Sequence, residues 1–292
     1  MDDDELRRRA RSFGPVADAY DRGRPGFPAA AAAWLAGTSP VTVLELGAGT
    51  GKLTEQLVAL GHDVHATDPD GDMLGVLGRK LPAVRTSVAG AEEIPAADRS
   101  VDVVVAAQSF HWFDHERALP EIARILRPGG RVALTWNVTD ERIPWVRRLG
   151  RIIGSQEQDV ERSAEPLVLS PLFGFVDEAT FPFWQTVDRH SIQDLAASRS
   201  NIATLDEDAR ADLLRDVLDL YDDYGRGMDG MQLPYNCRCY RAAVNDRREP
   251  AGQEPATDGT AGDREPAGDR PDGPTPPPSD GPDTDMLLID FR

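Results

Sequence analysis

Three glycines at alternate positions, Gly47, Gly49 and Gly51, follow directly on the apolar run Thr42–Leu46 and precede a helical pattern. Glycines so placed allow a tight turn and bring a ligand close to the backbone at a helix start. Register separates the ligand classes that use such a turn. A dinucleotide fingerprint starting at Gly47 requires glycine where Lys52 stands, and a phosphate loop ending in Gly51-Lys52 requires glycine at Leu46 and Ser or Thr at Leu53. Neither register fits. Asp68 closes the next β-type run about 20 residues further on, where a carboxylate accepts from both hydroxyls of a ribose. Its negative charge also suits a cationic ligand.

A second group of candidates follows the fourth apolar run, in Gln108-Ser-Phe-His111-Trp112-Phe113. His111 lies just beyond a strand's carboxyl end, where open α/β sheets place their ligands, and a neutral imidazole there accepts a proton from a phenol or alcohol. A carboxylate substrate arrives ionised and needs no such base. Against this stands the plain reading that a histidine between two aromatics packs and hydrogen-bonds. Tyr20 and Trp112 are candidates to line a substrate pocket, and Arg199 to pair a substrate carboxylate. Cys237 and Cys239, one residue apart, share a face if they lie on a strand, and their spacing suits neither a disulfide nor a metal clamp. No metal is expected.

The elements that position these residues alternate. Short β-type runs at Thr42 to Leu46, Asp63 to Thr67, Val84 to Val88, Val101 to Ala106 and Arg131 to Thr135 are separated by helical stripes. Leu53, Leu57 and Leu60 form one stripe, and Ala118, Ile122, Ile125 and Leu126 another, which stops at Pro128-Gly129-Gly130. Such alternation predicts a parallel sheet covered by helices. From Trp136 to Asp222 the pattern is more helical, with Val146, Leu149, Ile152 and Ile153 on one face and Leu213, Leu214, Val217, Leu218 and Tyr221 on another. This region is expected to cover the open end of the sheet.

The 292 residues carry a formal charge of -18, which repels nucleic-acid backbones and anionic membrane surfaces at long range. The start Met-Asp-Asp-Asp-Glu resembles no leader, and no apolar run reaches the roughly 20 residues of a membrane span, so the expected location is cytoplasmic. From Asn245 to Asp285 the chain is rich in Pro, Gly, Asp, Glu and Arg and is expected to be disordered. Met286, Leu287, Leu288, Ile289 and Phe291 then restore hydrophobicity, as a passive tail or a peptide that docks on a protein partner.

In order, these motifs resemble those of class I S-adenosylmethionine-dependent methyltransferases of the small-molecule kind, with a methyltransferase-11-like domain. Glu45-Leu-Gly-Ala-Gly-Thr-Gly51 matches the family's first motif. Gly90-Ala-Glu92-Glu-Ile-Pro95 before Ser100 to Val105 looks like its adenine segment. Gln108 to Phe113 and Leu126-Arg-Pro-Gly129-Gly130-Arg-Val follow as in the family, and the opening Phe13 to Pro25 is similar to a cap over the cofactor.

The resemblance implies a Rossmann-like α/β fold with helices on both faces of a seven-stranded sheet, parallel except for one strand around Asn236 to Ala242. It implies a cap over 1–40, a core over 41–140, lid helices and last strands over 141–244, and the acidic tail over 245–292. It implies S-adenosyl-L-methionine held by Glu45, Gly47, Gly49, Gly51, Asp68, Ala91, Glu92 and Gln108, and methyl transfer to a carboxylic acid or hydroxyl of a small molecule. That reaction is a direct displacement, which demands alignment and not a covalent enzyme intermediate. Family members that methylate exocyclic amines carry an Asn/Asp-Pro-Pro-aromatic motif where Gln108-Ser-Phe-His111 stands here, which points away from nucleic-acid N-methylation. The rival readings are a nucleotide-dependent oxidoreductase and a non-catalytic protein that keeps the cofactor site and engages a partner through its tail.

Overall fold

The apolar runs Thr42–Leu46 (β1) and Val101–Ala107 (β4) are buried along nearly their whole length, which requires cover on both faces, and they pair in parallel at the centre of a sheet. The computed structural model describes residues 17–155, 159–203, 205–224 and 230–245. These fall in one unit, Met1–Arg247, while a second unit, Arg248–Arg292, lies outside the described residues. The expected disordered tail, its apolar end Met286 to Phe291 and the first residues of the cap motif, Phe13 to Val16, are likewise outside them.

Beside β1 and β4 lie β2 (Asp63–Asp68), β3 (Arg85–Val88), β5 (Leu126–Thr139), β6 (Asp177–Val187) and β7 (Met231–Ala243). The order across the sheet is β3-β2-β1-β4-β5-β7-β6. Every neighbouring pair from β3 to β5 is parallel, and β7 runs antiparallel to both β5 and β6. The one reversed strand is therefore where the sequence placed it, but longer at its start.

Helices α1 (Ala17–Gly23) and α2 (Ala29–Ala36) precede the sheet, and α3 (Thr54–Ala59), α4 (Gly71–Lys80) and α5 (His115–Ile125) connect its parallel strands. Leu35 of α2 and Leu53 and Leu57 at α3 pack with Val43, Val103 and Cys237 on one face. On the other face Ile122 and Ile125 of α5 pack with Leu44, Val104 and Leu134. Helices α6 (Pro144–Ile153), α7 (Asp159–Leu169), α8 (Ser191–Ala197), α9 (Ser200–Ala203) and α10 (Glu207–Tyr224) belong to the segment after β5. Val146 and Leu149 of α6, Leu195 of α8 and Val217 and Leu220 of α10 form a separate cluster against Leu233 and Tyr235 of β7.

One expectation needs correction, and one strand falls where the pattern is mainly helical. The helical region also contains β6, whose alternating Phe181 and Phe183 pack toward α2. Pro182 in its middle weakens the strand signal, yet an edge strand tolerates proline because its outer N–H positions need no partner. Pro128-Gly129-Gly130 does not separate helix from strand: β5 already begins at Leu126, with Gly129 at φ 76° and a register shift opposite Val101 and Val103. Cys237 and Cys239 lie on one face of β7, both buried and free, with their sulfurs 3.8 Å apart. Among the described residues no helix is long and apolar enough to cross a membrane.

Candidate functional site

The turn after β1 takes its shape from the chain's own packing. Gly47 has φ 67°, and a Cβ there would collide with the Cβ of Ser109, whose hydroxyl donates to the Leu46 carbonyl at 2.7 Å. Gly51, at φ 85°, faces the Leu77 side chain, 2.8 Å from where its own Cβ would stand. Glycine is therefore fixed at both positions before any ligand is considered.

Two carboxyl groups flank this turn inside the protein. Glu45, 1% exposed, accepts from the Thr54 hydroxyl at 2.6 Å, and burial pushes its pKa up to about 8. Asp68 accepts from Gly49 N and from Asp70 N, each at 2.8 Å, and burial raises its pKa to about 6 against the opposing pull of those amides. A carboxylate offers about four lone-pair positions, so Asp68 clamps the glycine turn to β2 and retains capacity for hydroxyl donors. Among the described residues neither group has a salt-bridge partner. Two buried acids without a cation fit a positively charged ligand.

Glu45, Gly47 and Gly49 line a cleft of about 450 Å³ together with Tyr20, Arg24, Pro25 and Phe27 from the segment before β1, Lys52, and Gln108 and Asn137 from the ends of β4 and β5. The segment before β1 is tied down on this side. Arg22 pairs with Asp194 at 3.0 Å, Arg24 donates to the hydroxyl and carbonyl of Ser198, and the Asn137 and Gln185 amides donate to Gly26 O and Gly23 O. Gly23 rests against the backbone of Asp194 and Leu195, an approach that leaves no room for a side chain.

A second cleft, of about 400 Å³, adjoins the first and is lined by Gln108, His111, Trp136, Asn137, Val138, Val160 and Ser163. Gln108 and Asn137 thus line both. Gln108 adopts φ 58°, unusual for a residue with a side chain; its N–H donates to Thr135 O and its side chain to Asn137 O at 3.2 Å. Backbone strain of this kind persists where surrounding bonds fix it, and here it sits on the wall between two clefts. The Asn137 Oδ1 atom is buried there with no hydrogen-bond partner.

The sequence candidates therefore separate into groups. Glu45, Gly47, Gly49, Gln108 and Tyr20 meet at the first cleft, and Arg24 lies over the Tyr20 ring at 5.3 Å. His111 lines the second cleft, where Trp136 Nε1 donates to its Nδ1 at 3.4 Å. Trp112 lines neither cleft and packs against His111, ring centres 4.7 Å apart. Ala91 is buried in the core, and Glu92 accepts from Asp114 N at 2.9 Å, joining this loop to the start of α5. Arg199 also lines neither cleft. It is buried, donates to Gly154 O at 2.7 Å, and has its pKa pressed down to about 10, chiefly by burial and then by the charge of Arg24.

Sequence reasoning missed Asn137, Trp136, Val160 and Ser163. Asn137 follows the fifth β-type run, and extending that run by two residues brings it to the carboxyl end of the sheet, where ligands bind. Val160 and Ser163 lie on α7 and carry no local signal.

Residues 44–134 match the family model described as a methyltransferase domain. Over 247 residues the chain is 43% identical to an uncharacterised methyltransferase of Mycobacterium tuberculosis, covering 80% of this chain and 96% of that protein. A methyltransferase-like protein of Schizosaccharomyces pombe is 33% identical over 247 residues, covering 81% and 94%. A solved structure from Anaeromyxobacter dehalogenans, provisionally assigned as a type II methyltransferase, is similar in fold, with a TM-score of 0.54 at 24% identity, covering 76% of this chain and 97% of that one.

Proposed function

The chain belongs to the class I methyltransferase family, and from that premise we propose that it transfers the methyl group of S-adenosyl-L-methionine to a small-molecule acceptor. The observation that carries the reading is the pair of clefts meeting at Gln108 and Asn137. The first is bordered by the glycine turn and an uncompensated buried acid, which suits a cationic adenosyl sulfonium, and the second gives an acceptor access to the same wall. The similarities lend no support to the oxidoreductase alternative.

In this reading the Gly47 to Gly51 turn and Glu45 hold the methionine portion, and Asp68 takes the ribose hydroxyls while it keeps the turn in place. Ala91 and Glu92 border the adenine, and Tyr20 and Arg24 close the cap over the donor. The bound compound supplies a methyl group on a positively charged sulfur. The protein's task is then to exclude water and align the acceptor, for which the bonds from Arg24 to Ser198, from Gln185 to Gly23 and from Asn137 to Gly26 provide the closure.

Titration calorimetry with S-adenosylmethionine and its demethylated product tests the reading, and absence of binding of both would refute it. Asp68→Ala is expected to weaken binding by about 1 to 3 kcal/mol, because it removes charge-assisted hydrogen bonds and loosens Gly49. An unchanged dissociation constant in that variant removes Asp68 from the site.

A further inference from the structure

Opposite in sign to the two acids beside the glycine turn, a pair of guanidinium groups lies under the segment before β1. Arg24 is half-buried and Arg199 is buried, and the charge of Arg24 acts on Arg199. Among the described residues neither forms an ion pair. Arg24 gives Nε and one terminal nitrogen to Ser198; Arg199 gives one terminal nitrogen to Gly154 O, while its buried Nε–H has no acceptor. Glu141 acts on Arg199 by charge, and its own Oε1 is buried without a partner. One acid against two guanidinium groups leaves a positive balance.

The Tyr235 hydroxyl is buried without a partner too, and both arginines act on it. Burial pushes this phenol up to about 12, so it keeps its proton and donates. Asn137 Oδ1 and Gln185 Oε1 are likewise unpartnered, and the pairings Thr139↔Tyr235 and Gln185↔Leu233 put Asn137, Tyr235 and Gln185 on one face of the sheet. Gly23 to Gly26 roof that face, since the Gln185 and Asn137 amides donate to the Gly23 and Gly26 carbonyls. Water serves neutral orphans of this kind, but it does not neutralise two cations withdrawn from solvent.

We propose that Arg24, Arg199 and Tyr235 anchor an anionic group of the methyl acceptor, a carboxylate or a phosphate, with Asn137 and Gln185 accepting from hydroxyl or N–H groups beside the charge. This assignment rests on the methyl-transfer reading above. Guanidinium donors match the oxygens of either anion. The net charge of -18 repels anions at long range, so holding one requires a local cationic group. Strand order assigns the site to the acceptor and not to the donor's own carboxylate. The glycine turn follows β1, and Tyr235 stands on β7, three strand spacings away, or about 14 Å. An acceptor that comes through the second cleft to the wall of Gln108 and Asn137 meets Arg24 across it, in the first. The buried atoms become accessible when Gly23 to Gly26 lift.

The test titrates the full chain, saturated with the demethylated product of the donor, with succinate, malate, inorganic phosphate and glycerol 3-phosphate, and with glycerol as the uncharged control. At least one anion is expected to bind and glycerol is not. The best anion is also expected either to accept label from methyl-labelled S-adenosylmethionine or to inhibit labelling of a metabolite extract. Tyr235→Phe removes an unpartnered hydroxyl, so the ligand-free melting temperature should hold or rise while the Kd of that anion weakens about tenfold. Arg199→Gln should weaken it by about 30-fold or more, and Arg199→Lys should recover part of the loss. Both Tyr235→Phe and Arg199→Gln should leave the Kd of S-adenosylmethionine within about twofold.

Absence of binding by every anion of the panel overturns the proposal, as does binding that Tyr235→Phe and Arg199→Gln leave unchanged, or a bound anion that neither takes label nor inhibits. A loss of S-adenosylmethionine affinity in those variants equal to the loss for the anion also overturns it, by giving the site to the donor's carboxylate. Failure of the wild type to bind S-adenosylmethionine, read by calorimetry without any acceptor, is a different result and removes the methyl-transfer reading.

Discussion

Gly47→Ala is expected to destabilise the site by about 1.5 to 3.5 kcal/mol and to weaken S-adenosylmethionine binding by about 10- to 400-fold. Two costs combine. An alanine held at φ 67° costs about 1 to 2 kcal/mol in the left-handed region. Its methyl group would also collide with Ser109 Cβ, so Ser109 must move and give up the bond to Leu46 O, at a further cost of roughly 0.5 to 1.5 kcal/mol. If the turn cannot adjust locally, the loss appears as a fall in melting temperature of about 5 to 15 °C.

The two costs can be separated. Without its side chain, the nearest Ser109 atom to the new methyl group is Cα, at 3.9 Å, an ordinary contact. Gly47→Ala with Ser109→Gly should therefore relieve the collision but not the backbone strain, giving a coupling of about 0.5 to 1.5 kcal/mol between the sites. Calorimetry and thermal melts on the two single variants and the double variant measure it. A harmless single variant, or simple additivity, would mean that the turn is not shaped by Ser109.

That collision also marks the limit of what the sequence discloses. Alternating glycines after a β-type run announce a turn, but the partner that demands glycine at position 47 lies 62 residues away on another strand's end. The inner strands were readable because full burial leaves continuous Val, Leu and Ala runs, as in Val101 to Ala107. β6 was not, since an edge strand keeps a proline and a half-exposed pattern without penalty. The cofactor-side candidates were readable through local order: Glu45, Gly47 and Gly49 are near neighbours in sequence and in the cleft. The second cleft has no such local order. It gathers His111, Asn137 and Val160 from three separate elements, so only the folded arrangement shows that Trp136 donates to the histidine. Arg199, singled out because guanidinium suits carboxylate, gives one of its donors to Gly154 O and lines neither cleft.

Donor binding is expected to expel protons, with Glu45 as the main source near neutrality. Its pKa of about 8 means that the carboxyl is largely protonated at pH 7 in the ligand-free protein, and Asp68 follows at about 6. A cation brought into the cleft favours the ionised forms, so affinity should rise about tenfold per pH unit between pH 6 and 8, more steeply below 6, and level off above 8. The same groups act in the opposite sense on the stability of the ligand-free fold. Both folded values lie above the ordinary 4.5 and 3.8, so the folded state holds more protons than the unfolded one and stability falls as pH rises, from about 4 to 6 for Asp68 and from about 4.5 to 8 for Glu45. Glu45→Gln keeps an oxygen for the Thr54 hydroxyl but carries no titratable proton. It should flatten the stability profile above pH 6 and abolish most of the proton release at pH 7. Calorimetry in two buffers of different ionisation enthalpy counts those protons. If the wild type releases none, or the variant releases as many, Glu45 does not face the cation, and the fit between the buried acids and a sulfonium is lost.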